Sequence, residues 1–164
     1  GVFLSPQAWI FSGAFSPPPG SPGAQVGPAS TPTQQAQRAK SQLVSGGLDR
    51  MMQLAKKHGV RVAFGTDVFG GTRVFALESR EFGARLKWFS SLEILRQATS
   101  TNGDLLALSG PRNGYGRLGV LEPGALADLL IVDGNPLEDI RVLEEPEKNL
   151  RLIMKDGRIY KQTL

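Results

Sequence analysis

The most regular hydrophobic pattern in the chain lies in residues 34–58. Apolar side chains recur there at steps of four, three and four: Val44, Leu48, Met51 and Ala55. Residues at this spacing share one face of an α-helix, so the pattern predicts a helix with one buried stripe. Gly59 follows as a residue suited to ending a helix. Such a stripe is typical of a protein core and not of a cofactor site.

A short strand is predicted directly after this helix, because residues 60–64 are rich in β-branched and aromatic side chains. The strand leads into Gly65-Thr66-Asp67. A helix, a one-residue connection and a buried strand that ends at a polar residue are typical of α/β proteins. In α/β barrels the active site lies at the carboxyl ends of the strands, which makes Asp67 the first candidate functional residue.

Upstream of the helix, residues 2–6 form a short apolar run that predicts another strand. From about residue 11 to residue 33 the composition changes to proline, glycine and serine. Neither a helix nor a central strand accommodates such a sequence. We therefore expect a long loop there, either without a function of its own or acting as a lid.

Two further helices are predicted downstream. The first covers about 75–87, and its candidates for burial are Ala76, Phe82, Ala84 and Leu86. The second begins at Ser90, where Ser90 and Glu93 match a capping box ahead of an apolar run. The stretch 99–103 is expected to break this helix and cap it again.

From residue 117 onward the pattern becomes that of β-strands. Residues 127–132 are predicted as a strand, and Asp156-Gly157 between the apolar runs 150–154 and 158–161 predicts a tight hairpin. We therefore divide the chain into an α/β part, residues 1–112, which includes the loop, and a β part, residues 113–164.

Composition and charge exclude several classes of function. The net charge of +4 is modest and its basic residues are scattered, so nucleic acid is not expected as a partner. No apolar stretch approaches the roughly 20 residues of a membrane-spanning helix. The absence of cysteine excludes disulfides and thiolate metal sites. Localisation is not indicated, and a homo-oligomer is left open.

Several segments together resemble the amidohydrolase superfamily, in particular its imidazolonepropionase-like and Xaa-Pro dipeptidase-like branch. The segments, in order, are Gly65-Thr66-Asp67, the helix ending Ala98-Thr99-Ser100-Thr101-Asn102, the run from Leu118 to Gly134 with Glu122-Pro123-Gly124-Ala125-Leu126-Ala127-Asp128, and the closing run from Leu152 to Tyr160. None of them is specific alone, but their order and spacing match the family.

The resemblance implies the last two β/α units of a (β/α)₈ metal-dependent hydrolase barrel, followed by the C-terminal part of a small β-sandwich. Residues 2–5 would be strand seven, residues 60–66 strand eight, and residues 116–164 part of the sandwich. Family members hold one or two divalent metals, usually zinc. The ligands are a His-x-His pair on strand one, a carboxylated lysine or glutamate on strand four, histidines on strands five and six, and an aspartate after strand eight. Only the last has a counterpart here, and it is Asp67.

Asp67 is therefore the candidate catalytic residue and the candidate metal ligand. Zinc lowers the pKa of bound water towards about 7, and a short, rigidly placed carboxylate can take the proton and pass it to a leaving nitrogen. The alternative is that Asp67 only caps the following loop through its backbone.

Other polar residues are weaker candidates. The single histidine, His58, lies at a helix end and is expected on the surface. Asp128 is expected to bind neighbouring backbone, and Asn102 to cap a helix. Arg73 and Arg80 could reach a substrate carboxylate, although solvated surface arginines are the simpler interpretation.

Three hypotheses for function remain. The leading one is a C-terminal fragment of a metal-dependent amidohydrolase that cleaves a C–N bond in an amide, dipeptide or cyclic amide and is inactive alone. The second is a non-catalytic pseudoenzyme or truncated structural fragment. A free-standing binding module is the third and least favoured, because two barrel strands leave most of a sheet unpaired.

Overall fold

The computed structural model describes residues 2–11, 31–68, 75–114 and 116–164. The part of the chain up to residue 112 contains β1 (Phe3–Leu4), α1 (Ala8–Phe11), α2 (Pro32–Lys57), β2 (Arg61–Val62), α3 (Arg80–Ala84), α4 (Ser91–Arg96) and α5 (Asn102–Ala107). The part from residue 113 onward contains β3 (Leu129–Val132), α6 (Pro146–Asn149), β4 (Leu150–Lys155) and β5 (Arg158–Gln162). Short 3₁₀ turns cover Arg85–Lys87, Gly110–Arg112 and Ile140–Glu144. Among the described residues, no helix is long and apolar enough to span a membrane.

The long helix α2 confirms the first prediction, with an earlier start. Thr31 is its N-cap and forms a complete capping box with Gln34, and Pro32 occupies the first turn, where its missing N–H costs nothing. The last residues assigned to the loop thus belong to the helix, whereas residues 12–30 of that loop lie outside the described residues. At the other end Gly59 takes the left-handed conformation, with φ of 61°.

The buried face of α2 differs slightly from the predicted stripe. Leu48, Met52 and Ala55 are at most 5% exposed, whereas Val44 remains 37% exposed. Met52, next to the predicted Met51, is fully buried. The stripe therefore starts one turn later, and the first half of the helix lies outside the core.

The strands β1 and β2 pair in parallel, with Phe3 opposite Arg61 and Leu4 opposite Val62. Val62 belongs to the hydrophobic core cluster, and Leu4 and Phe64 pack against that cluster. Ile140 and Leu143 from the second half of the chain belong to the same cluster. Parallel strands covered by helices are the α/β arrangement that the sequence predicts.

The helix predicted for 75–87 is shorter and is buried through different residues. Its described regular part is α3, followed by the 3₁₀ turn, and Ala76 is exposed. The fully buried side chains are Glu81 and Arg85, at 1% and 0% exposure. The hydrophobic pattern misses them because charged residues are almost never fully buried unless they are paired.

Arg85 and Glu81 form a buried ion pair, with 2.6 Å between Nε and Oε1. The Arg85 guanidinium also donates to three further acceptors: Pro6 O at 2.6 Å, Ala63 O at 3.0 Å and Gln97 Oε1 at 2.7 Å. Burial lowers the pKa of Arg85, and the charge of Glu81 opposes that shift. Because both strand ends meet the same guanidinium, Arg85 fixes β1 and β2 relative to each other.

The Glu81 carboxylate completes this network by capping α1. It accepts from Ala8 N at 2.9 Å and from Trp9 N at 2.7 Å, two backbone donors at the start of that helix. No buried side-chain nitrogen or oxygen in the described part of the chain lacks a hydrogen-bond partner. The cost of burying two charges is therefore offset by hydrogen bonds on every side.

The second predicted helix begins at the expected residue but does not break. Ser90 and Glu93 form the predicted capping box of α4. At 97–101 the chain makes a π-turn and runs directly into α5, without a new cap. The predicted break at 99–103 is therefore wrong, because one additional residue is absorbed in the helix.

The β part confirms the hairpin. The sheet order is β3-β4-β5 and all pairs are antiparallel. Asp156 and Gly157 join β4 to β5 with φ of 50° and 73°. Two consecutive left-handed residues are the signature of the turn that matches the twist of hairpin strands.

We predict that Gly157→Val lowers the free energy of unfolding by about 1–3 kcal/mol, because a β-branched residue is strained at positive φ. No atom lies within 4 Å of the added Cβ, so the cost comes from the backbone alone. Chemical denaturation provides the measurement. The matched control is Gly46→Val in α2, which also enters open space but has no positive φ, and an equal loss in both variants would contradict the prediction.

We predict that Arg85→Met destabilises the fold by about 3–5 kcal/mol, since it leaves the buried Glu81 carboxylate without its cation and the carbonyls of Pro6 and Ala63 without this donor. Lys87→Met is the control, because Lys87 pairs with Asp49 on the surface and such pairs contribute less than about 1 kcal/mol. Thermal denaturation compares the two variants. Equal melting temperatures would show that the buried network contributes nothing.

Candidate active site

The carboxyl end of β2 is held on the β1 side by two contacts. Ala63 N donates to Leu4 O at 2.8 Å, which continues the parallel ladder by one residue. The Arg85 guanidinium donates a hydrogen bond to Ala63 O. Its Cζ atom also lies 4.5 Å from the centroid of the Phe64 ring. The strand therefore reaches its last residues in a fixed position.

Asn102 holds the opposite side of the same strand end. Its Oδ1 accepts from Phe64 N at 2.9 Å, and its Nδ2 donates to Phe64 O at 2.9 Å. The prediction that Asn102 caps a helix is wrong, since the residue before α5 is Thr101 and makes no capping bond. The sequence carries no local signal for a contact between residues 38 positions apart.

Asp67 lies three residues after Phe64, at the corner where the strand ends. Its backbone is left-handed, with φ of 49°, and its side chain is exposed. Gly65, within the corner, lies close to Ser5, the residue after β1: a Cβ added there would lie 3.0 Å from Ser5 Oγ. Gly70, Gly71 and Arg73, which the sequence places just beyond Asp67, lie outside the described residues.

The weaker candidates have structural partners. Asp128 accepts from Lys155 Nζ and from Asp156 N, both at 2.6 Å, and these bonds lower the pKa of its carboxyl group, Lys155 most strongly. It supports the hairpin turn, which confirms its predicted backbone role. Arg80 Nη1 pairs with Glu144 at 3.0 Å, and His58 is exposed at the end of α2.

The described residues do not assemble a metal site of their own. No group of three or more His, Cys, Asp or Glu side chains that could hold a metal ion occurs among them. A cavity of about 480 Å³ lies nearby, lined mainly by apolar side chains that include Phe64, Phe82, Leu143 and Leu150. Thr66 is among its lining residues, but Asp67 is not.

Comparison with known proteins identifies the family. A model described as the amidohydrolase family matches residues 30–160. The chain belongs to the amidohydrolase family. Ochratoxinase from Aspergillus niger is 32% identical over 124 residues, which are 75% of this chain and 24% of that protein. The chain therefore spans about a quarter of the length of the curated relatives it matches.

Solved structures give the same result for the fold. An amidohydrolase superposes with a TM-score of 0.75 at 28% identity, over 100% of this chain and 35% of that one. A prolidase complexed with N-methylphosphonate-L-proline superposes with a TM-score of 0.70 at 30% identity, over 99% of this chain and 35% of that one. The expected family is thus confirmed, and so is the α/β class of a hydrolase fold.

Proposed function

We propose that this chain contributes Asp67 to the active site of an amidohydrolase that cleaves a C–N bond of an amide, dipeptide or cyclic amide. The observation that carries the proposal is the position of Asp67, immediately after a strand end fixed by Arg85 on one side and Asn102 on the other. In the barrel that we infer for the intact protein, with β1 and β2 as its last two strands, this is the catalytic face. The antiparallel sheet β3-β4-β5 would be part of the adjoining sandwich.

The amidohydrolase family generally uses divalent metals. A catalytic zinc takes about three protein ligands, and the described residues of this chain offer only the Asp67 carboxylate at the expected place. They do not fit a complete site. We infer that Asp67 is one ligand, and that histidines and a further acidic or modified residue outside this chain supply the others.

The chemistry available to Asp67 is proton transfer. Its carboxylate accepts a proton from the attacking water while the new C–O bond forms at the carbonyl carbon. The same proton then passes to the nitrogen as the C–N bond breaks, so the carboxylate is regenerated. A short side chain close to a hydrogen-bonded strand end suits this role, because the base must stay within hydrogen-bond reach of both water and nitrogen.

The prolidase complex supports a choice of assay substrate. In N-methylphosphonate-L-proline a tetrahedral phosphorus is bonded to the proline nitrogen, at the position of the carbonyl carbon in an Xaa-Pro peptide. Xaa-Pro dipeptides are therefore the first substrates to test with the full-length protein, followed by N-acyl amino acids.

We predict that Asp67→Asn in the full-length protein lowers kcat by about 10²–10⁴-fold, the usual contribution of a general base. Asparagine tolerates the left-handed backbone that Asp67 adopts, so the variant removes charge and basicity without straining the corner. Steady-state kinetics, metal content and melting temperature are measured together.

The matched control is Asp133→Asn. Asp133 follows directly after β3 and is also exposed, but it pairs with Arg151 in the antiparallel sheet. It should keep wild-type turnover. Near wild-type kcat in Asp67→Asn would end the catalytic assignment, and a lower melting temperature with metal and turnover retained would favour the capping role.

The isolated chain of 164 residues should have no hydrolase activity and should bind zinc weakly, because one carboxylate falls short of a zinc site. Its unpaired strand edges should also favour aggregation. Isothermal titration calorimetry with zinc tests the first point. Stoichiometric binding at micromolar affinity by a monomer would contradict it.

A further inference from the structure

The π-turn at Gln97–Thr101 has a specific geometric effect. In a regular α-helix, residues five apart point in clearly different directions, because each residue advances the helix by about 100°. A π-turn contains one more residue, so residues five apart come close to the alignment that residues four apart have in an α-helix. Gln97 and Asn102 are five apart, and across this turn Gln97 meets Arg85 while Asn102 meets Phe64.

Their targets are consecutive residues of the strand end. Gln97 Oε1 accepts from Arg85 at 2.7 Å, and Arg85 in turn holds Ala63 O. Asn102 holds Phe64 N and Phe64 O directly. One helical irregularity therefore places Asn102, which supports this segment directly, and Gln97, which binds the other support, Arg85.

Asn102 imitates a neighbouring strand. Ala63 N faces β1, where it donates to Leu4 O, and backbone groups of successive residues in a parallel strand point to opposite edges. The N–H and C=O of Phe64 thus point to the edge away from β1. At that edge the Asn102 side-chain amide provides one hydrogen-bond acceptor and one donor. A neighbouring β-strand would offer Phe64 the same two groups through its backbone C=O and N–H.

Close packing keeps the π-turn and α5 in place. Gly103 is buried, and a Cβ added there would lie 2.2 Å from Leu118 O. Gly119, with φ of 74°, approaches Thr99 O so closely that an added Cβ would lie 2.3 Å from it. No side chain larger than hydrogen fits at either glycine without movement, so the Leu118-Gly119 segment packs directly on the π-turn and on the start of α5.

We propose that Asn102 is a positioning residue for the proton-transfer step, which it serves by fixing the Phe64 backbone and thereby the Asp67 carboxylate three residues later. The inference rests on the proposed role of Asp67. Asn102 itself is half-buried, bonded to Phe64 through both ends of its amide, and acts through the strand.

The test uses Asn102→Ala and Asn102→Asp in the full-length protein, with an Xaa-Pro dipeptide as substrate. The alanine variant should lower kcat by about 10–100-fold with KM changed less than about threefold, because small misplacements of a reacting group cost that much. Asn102→Asp keeps the size and the acceptor for Phe64 N but loses the donor to Phe64 O. It should fold and show a kcat below wild type, which keeps the test decisive if the alanine variant does not fold.

Asn149→Ala is the matched control. Asn149 is also half-buried, and its amide donates to a backbone carbonyl, Val142 O at 2.7 Å, in the second half of the chain. Hydrogen exchange gives a readout independent of activity: the Phe64 amide should exchange faster in Asn102→Ala and unchanged in Asn149→Ala. If both alanine variants lose kcat equally, or if Phe64 stays protected in both, Asn102 has no positioning role.

A double-mutant cycle separates this inference from the function on which it rests. If Asn102 acts through Asp67, then Asn102→Ala should change kcat less than about threefold in the Asp67→Asn background. Losses that multiply would overturn the positioning role while leaving the base assignment intact. Wild-type turnover in Asp67→Asn alone would overturn both.

Discussion

The buried guanidinium of Arg85 is the interaction on which the α/β part depends. It joins Glu81, Gln97 and the carbonyls of Pro6 and Ala63, so that two strand ends and two helical segments meet at one cation. A buried charge is tolerated only where it is paired and hydrogen-bonded, and this requirement fixes the geometry of its surroundings. The carboxyl edge of β1 and β2 is thus built around a polar centre and not around apolar packing alone.

That polar centre explains how a strand of only two residues can position the turn that follows it. The regular ladder between β1 and β2 covers only two residue pairs. Beyond it, side chains take over: Arg85 holds Ala63, and Asn102 holds Phe64. The chain therefore leaves the sheet at Gly65 and turns at Asp67 directly after two residues whose backbone is held by hydrogen bonds.

Local signals allowed much of the fold to be predicted. The helix stripe around Leu48, the capping box at Ser90 and the Asp156-Gly157 hairpin each depend on residues within a few positions of one another. The supports of the site could not be predicted in this way. Glu81 and Arg85 are visible as a pair four apart, but their burial depends on backbone groups of α1 and β2, and Asn102 pairs with Phe64 only because of a π-turn that no local pattern marks. Asp67 itself followed from its strand-end position and from the family resemblance.

The most direct measurement is a crystal structure of the full-length protein grown with zinc, with the metal located by anomalous scattering. The account predicts an Asp67 carboxylate oxygen at about 2.0–2.2 Å from the zinc, the usual ligand distance. It also predicts that the Asn102 amide remains bonded to Phe64 in that structure. A zinc site formed without Asp67, with its carboxylate turned instead to the backbone of the following loop, would contradict it.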